Sequence, residues 1–261
     1  MFPSPSGKGL GQGLAEATTP QRFPLDSFWP HRREKRKGAR FAGCKTLTLA
    51  LSQRERESAM LKVGLTGSIA VGKSSVLGVL AELGCHVLDA DATAREVVAP
   101  GTAGMNAVVD AFGDDILNSD GALDRARLGA IVFADETKRL QLNSILHPFI
   151  IAAQDERMRK WEKEDPQGIA VVDAALMIES GGYRRFDKLV VVHCRPEVQL
   201  ERLMARDGLS RAAAEQRIGA QMAQEEKKTY ADFLIDTSEG FDRTRRQAES
   251  LFQKLSAVRR M

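Results

Sequence analysis

From Leu61 onward the apolar positions fall into short, regular patterns. Leu61-Lys62-Val63-Gly64-Leu65-Thr66 is a mostly apolar run of strand length. After a glycine-bearing loop, Val76, Val79, Leu80 and Leu83 recur at i, i+3, i+4 and i+7, one face of a helix, and Gly84 stands where a C′ glycine belongs. Cys85-His86-Val87-Leu88 reads as a second strand. Further buried strands are predicted at Ile169–Val172, Leu189–His193 and Phe233–Ile235. Helical patterns run beside them at Pro196–Arg206, with its proline in the first turn, at Arg211–Gln224 and at Arg243–Leu255. Five strands alternating with helices predict an α/β fold with a parallel sheet and right-handed crossovers.

Between the second and third strands the pattern changes. Met105, Val108, Val109 and Phe112 form a helical face that ends at Gly113, and another helix is expected from Asp135 to about Leu146, broken by His147-Pro148. About seventy residues of helix exceed one crossover. They predict an inserted helical lobe, about 101–165, at the carboxyl ends of the strands, where α/β proteins bind substrates.

Residues 1–59 show no sustained period and hold five of the nine prolines. Such a segment buries too little apolar surface to offset its ordering entropy, and it reads as a disordered basic extension. The abrupt onset of ordered pattern suggests Met60 as the physiological start, with 60–261 as the folded domain. The extension also explains the charge. It carries eleven Lys+Arg against five Asp+Glu, whereas the remainder carries 27 against 30, so the overall +3 belongs to the tail. The body is mildly acidic, and a general nucleic-acid footprint is not supported. The cluster His31–Lys37 reads as a solvated run, and Leu47–Leu51 as a marginal turn or strand. No stretch of eighteen apolar residues occurs, and the N-terminus lacks a secretory pattern, so a cytoplasmic protein without a membrane partner is expected. Cys44, Cys85 and Cys194 share no metal or redox spacing and read as free buried thiols.

The chemistry is concentrated at Gly67-Ser68-Ile69-Ala70-Val71-Gly72-Lys73-Ser74, a G-x-x-x-x-G-K-[ST] string between a predicted strand and a predicted helix. Glycines let successive backbone N–H groups turn toward phosphate oxygens, and the following helix, through Ser74 and Ser75, adds unpaired N–H groups and its positive dipole end. Lys73 would reach the β- and γ-phosphates of ATP, and the Ser74 hydroxyl would ligate Mg²⁺. Asp89-Ala90-Asp91 ends the second strand at the phosphate side. Either carboxylate could take a proton from an attacking hydroxyl or hold the metal, and either could simply cap the next helix. Asp173 closes the third strand as a Walker B carboxylate would, or as a strand-end cap. Arg202, Arg206, Arg211 and Arg217 flank Asp207-Gly208-Leu209-Ser210. That arrangement fits a helical lid, about 202–220, and also a charged helix surface.

Several strings taken together resemble the dephospho-CoA kinase family over nearly all of 60–261. They are LTGSIAVGKSS at 65–75, LDADATAREVVAPG at 88–101, DGALDRARLGAIVF at 120–133, LNSILHP at 142–148, QLERLMARDGLS at 199–210 and RIGAQM at 217–222. The resemblance implies a P-loop kinase that phosphorylates the ribose 3′-hydroxyl of dephospho-CoA with ATP and Mg²⁺. It implies Asp91 as the general base, Arg95 and the His147 region as acceptor contacts, and Arg206 as a lid residue, with Arg202 a weaker candidate. On its own chemistry His147 could equally be a satisfied histidine packed by Pro148. The chain departs from the family pattern in a less glycine-rich P-loop, in Ala175–Glu179 where a PLL-type string is usual, and in Thr237 where an asparagine usually follows the last strand. Another small-molecule or nucleotide kinase, or a nucleotide-binding switch, would share the P-loop, though no N-K-x-D guanine-reading string occurs.

Overall fold

The computed structural model describes residues 60–259, so the readings of residues 1–59, Cys44 included, lie outside the described residues. Five parallel strands form one sheet: β1 (Leu61–Thr66), β2 (His86–Asp89), β3 (Ile169–Asp173), β4 (Lys188–His193) and β5 (Phe233–Asp236), in the order β2-β3-β1-β4-β5. All four pairings are parallel, as the alternation of strands and helices predicts.

Period-2 alternation sends successive strand residues to opposite faces, and both faces are covered. Leu61, Val63, Leu65, Ile169, Val171, Val190 and Val192 share one core with Val76, Val79 and Leu80 of α1 (Lys73–Glu82). Ala248, Leu251 and Leu255 of the C-terminal helix Phe241–Arg259 join that core. Ala170, Val172, Leu189 and Val191 face the other way, against Met177, Ile178 and Met158. Gly64 lies on this second face, and a Cβ there would stand 2.5 Å from the Met177 sulfur, so any larger residue would push Met177 aside. Cys85 and Cys194 are buried and free.

After β2 the chain forms α2 (Ala90–Glu96), α3 (Ala103–Phe112), α4 (Arg125–Ala134) and α5 (Glu136–Glu164). These helices enclose a core of their own, built on Val98, Met105, Val108, Ile116 and Leu128. The break expected at His147-Pro148 does not occur: α5 runs 29 residues with Pro148 inside it. Pro148 has no N–H for the Ser144 carbonyl, a defect of about 3 kcal/mol or more in an unsupported helix. Packing outweighs it, because Leu142, Ile145 and Leu146 join the lobe core before the proline while Met158 and Trp161 pack on the sheet after it.

Beyond β4, α6 (Pro196–Asp207) ends at Gly208, in the left-handed conformation, and Ser210 caps α7 (Arg211–Gly219). The single helix expected over Arg211–Gln224 is two, since α7 stops at Gly219 and α8 covers Gln224–Lys228. The intervening residues are engaged with the P-loop: the Gln221 side-chain Oε1 accepts from Ile69 N at 2.8 Å, and Ser68 Oγ donates to the Met222 carbonyl at 3.5 Å. The C-terminal helix, α9, follows β5. Among the described residues no helix is long and apolar enough to cross a membrane.

Candidate active site

The chain passes from β3 to β4 on opposite sides of β1, so the carboxyl end of β1 is the topological switch point of the sheet. Gly67 follows that end directly. A side chain there would collide with the Val192 carbonyl, which is why the turn begins with glycine. Val71 is fully buried and anchors the loop in the core. Ala70 (φ 59°) and Gly72 (φ 88°) are both left-handed, which curls the loop back on itself. Ala70 thus takes, without being glycine, a conformation that costs an L-residue about 1–2 kcal/mol.

Gly72 precedes α1 without any side-chain cap, and no acidic residue lies in the first turn. The helix start therefore offers its N–H groups and dipole to an anion. Lys73 Nζ donates to the Gly67 carbonyl at 3.1 Å and so folds back over the loop. The Ser74 and Ser75 side chains are exposed at the mouth. Ala70–Ser74, Arg202, Ala205 and Arg206 line an open cleft of about 530 Å³.

The two aspartates after β2 separate cleanly. Asp89 Oδ1 accepts from Asp91 N at 2.8 Å and Ala92 N at 3.3 Å, so Asp89 is the N-cap of α2. Asp91 sits exposed in the first turn, and its carboxylate makes no hydrogen bond or ion pair among the described residues. In register, Asp173 stands beside Asp89 on one side and Leu65 on the other, at the same end of the sheet. Asp173 Oδ1 is buried without a partner. Burial pushes the Asp173 carboxyl up to about 6; the nearby Lys73 ammonium opposes this, and the Asp89 and Asp91 carboxylates add to it. A strand-end cap would have satisfied that oxygen. Among the described residues no three His, Cys, Asp or Glu side chains group into a metal cage. The Ser74 hydroxyl and an orphaned Asp173 oxygen are instead the donors suited to a hard cation that takes its other ligands from phosphate and water.

The arginines divide unexpectedly. Arg206 projects from the end of α6, more than half exposed, and shares Asp207 with Arg217 at 2.8 and 2.9 Å. Arg202, the weaker candidate by resemblance, is the more firmly built in. It donates to Thr237 Oγ1 at 2.9 Å and to the Thr237 carbonyl at 2.7 Å, while Thr237 Oγ1 donates to the Val71 carbonyl at 2.6 Å. The residue after β5 thus fastens both the P-loop and the cleft wall. In the lobe, Arg95 lies exposed in the last turn of α2. His147 is also exposed and makes no side-chain hydrogen bond among the described residues, so it is not a packed, satisfied histidine. The protein around it still desolvates the ring and holds its pKa below the ordinary value.

Sequence reasoning missed one feature beside the loop. Lys227 of α8 is fully buried, with Nζ 2.8 Å from Glu179 Oε1 and donating to the Ala175 carbonyl at 2.8 Å. In the sequence it stands within Glu225-Glu226-Lys227-Lys228, which has the composition of a solvated face.

The profile of the family described as dephospho-CoA kinase matches residues 61–242. A dephospho-CoA kinase of Geobacter sulfurreducens is 45% identical over 192 residues, covering 74% of this chain and 97% of that protein. One from Leifsonia xyli subsp. xyli is 42% identical over 196 residues, covering 75% and 99%. Among solved structures, a Thermus thermophilus protein superposes with a TM-score of 0.66 at 28% identity, over 75% of this chain and 97% of that one. The dephospho-CoA kinase of Campylobacter jejuni does so at 0.52, with the same identity and coverage. Profile, relatives and fold agree over the region that carries the P-loop, the aspartates and the arginine-bearing helices, and the chain belongs to the dephospho-CoA kinase family.

Proposed function

We propose that this chain transfers the γ-phosphoryl group of ATP to the ribose 3′-hydroxyl of dephospho-CoA, giving CoA and ADP, and that residues 60–261 are the domain that does so. The observation that carries the reading is the separation of Asp89, consumed as a helix cap, from Asp91, exposed and unpaired near an uncapped P-loop helix. A carboxylate in that position is available to an incoming hydroxyl.

The P-loop backbone from Gly67 to Ser75 would hold the β- and γ-phosphates, with Lys73 leaving the Gly67 carbonyl to meet their charge. Phosphoryl transfer proceeds through a loose transition state, so positioning and charge stabilisation dominate. Asp91 would orient the 3′-hydroxyl and accept its proton as the new P–O bond forms and the bond to ADP breaks. Arg95 and His147 would hold the acceptor from the lobe. Arg206 would approach the transferring group as the α6–α7 lid closes and so exclude water. Mg²⁺ fits Ser74 and the orphaned Asp173 oxygen, and there it would neutralise charge on the phosphate oxygens. The mildly acidic body suits a cytoplasmic enzyme.

The test is direct: purified protein with Mg-ATP and dephospho-CoA, followed for CoA formation, against nucleosides, nucleotides and shikimate as alternative acceptors. CoA formation with no comparable rate on the other acceptors is expected. A preference for any of the others would replace this reading.

A further inference from the structure

A closed ring of contacts surrounds the entry to the P-loop. Thr66 Oγ1, at the end of β1, donates to the Ala174 carbonyl at 2.8 Å, with the Ala175 carbonyl 3.3 Å away. The Ala175 carbonyl also accepts from Lys227 Nζ, and Lys227 pairs with Glu179. Glu179 Oε1 in turn accepts from Met222 N at 3.4 Å, and the Met222 carbonyl accepts from Ser68 Oγ. The path leaves the chain at residue 66 and returns at residue 68. It joins the loop after Asp173, the segment at the root of the lid, and both flanks of Gly67.

Stability alone is a poor reason for the charges at its centre. A buried ion pair loses much of its Coulombic gain to desolvation, and well-packed apolar residues often do as well. Burial pulls the Lys227 pKa down, and the hydrogen bond and charge of Glu179 oppose that shift. Glu179 Oε2 is itself buried without a partner. An ammonium does have one property that apolar packing lacks: it holds two acceptors at once at fixed distances.

We propose that Lys227 is a positioning residue for phosphoryl transfer, fixing the Ala174–Glu179 loop, and with it Asp173, against the P-loop and the lid root through the Ala175 carbonyl and the Glu179 carboxylate. The inference rests on the proposed function for the identity of the site. Lys227 touches no reacting atom. It acts through residues that do, and because the pair is neutral overall, removing both members alters geometry and leaves net charge unchanged.

The experiment uses the full chain, with kcat expressed per folded molecule (folded fraction from circular dichroism) and KM measured for ATP and for dephospho-CoA. Lys227→Met strands the Glu179 carboxylate and is expected to lower the melting temperature. It should also reduce kcat by about tenfold or more, since small misplacements near reacting groups are costly in rate. KM for ATP should change by less than about threefold, because the P-loop backbone still binds phosphate. Adding Glu179→Gln removes the stranded charge and should restore much of the melting temperature while kcat stays low. A purely structural pair predicts that kcat recovers with the melting temperature, and that result overturns the proposal. So does a kcat per folded molecule within about twofold of the unmodified protein in Lys227→Met. If Lys227→Met does not fold, Glu179→Gln alone is read by the same split between kcat and KM. An unmodified protein that forms no CoA refutes the proposed function instead, so the two failures are told apart.

Discussion

The P-loop and the helical lobe are built in different ways. On the nucleotide side, recognition is assigned to backbone: a loop anchored by buried Val71, curled by Ala70 and Gly72, and tied to its neighbours through Gln221, Met222 and Thr237. On the lobe side, Asp91, Arg95 and His147 are exposed side chains on α2 and α5, over a small separate core. Phosphate is the same in every nucleotide, and a rigid cradle suits it. An acceptor hydroxyl has to be selected and then activated, and side chains that are free before binding can do both.

The contrast can be broken at its strongest point with Lys73→Ala. Removing the charge at the β- and γ-phosphates should lower kcat by about a thousandfold, and Lys73→Arg should not restore it, because a planar fork cannot replace a compact ammonium. Near-normal turnover in either variant, measured under saturating Mg-ATP, would remove Lys73 from the chemistry. On the lobe side the decisive pair is Asp91→Asn and Asp89→Asn. Asp91→Asn should reduce kcat about a hundredfold with ATP affinity and melting temperature almost unchanged. Asp89→Asn should do far less, since asparagine caps a helix as well as aspartate. A fully active Asp91→Asn enzyme would leave the base to another group.

Weaker but more telling is Arg95→Ala. Loss of one charge-assisted contact should raise KM for dephospho-CoA about tenfold while KM for ATP stays constant. Equal changes in both would erase the division between the two sides. The last test concerns stability rather than turnover. Asp173 in the folded protein keeps its proton up to about pH 6, whereas the unfolded chain releases it in the ordinary carboxylate range. The folded state then binds more protons, so stability falls between about pH 4 and 6 and remains lower above that. Asp173→Asn abolishes the loss: nucleotide-free protein should gain about 3 kcal/mol, or roughly 6–12 °C in Tm, at pH 8 and almost nothing at pH 3.5. An equal gain at both pH values would assign the effect to something other than this carboxyl. In the unmodified enzyme, kcat/KM should decline as pH drops through about 6.

The sheet was legible because its strands are short apolar runs bounded by polar breaks, and the P-loop because its motif is contiguous. Asp173 could be found for the same reason, at the end of Ile169–Val172. Tertiary effects were not legible. Nothing local shows that packing on both sides would carry α5 through Pro148, or that Arg202 would be clasped by Thr237, 35 residues away. Lys227 is the extreme case, a residue of solvated type whose burial depends on Glu179 and Ala175, about fifty positions earlier. By spacing alone Asp89 and Asp91 were equivalent; the family resemblance pointed to Asp91, and in the structure the hydrogen bonds of Asp89 separate the two.

Pro148 has a mechanical consequence. The 29 residues of α5 span about 43 Å, and one end belongs to the lobe while the other is clamped to the sheet. The missing N–H sits between the two attachments, at the place where a helix resists bending least. The segment from Glu136 to His147 is a lever arm of about 18 Å, so a 10° flex at the proline carries its tip about 3 Å. That displacement is about one hydrogen-bond length, and His147 rides at the fulcrum. Pro148 thus places the most compliant point of α5 between its attachment to the lobe core and its attachment to the sheet.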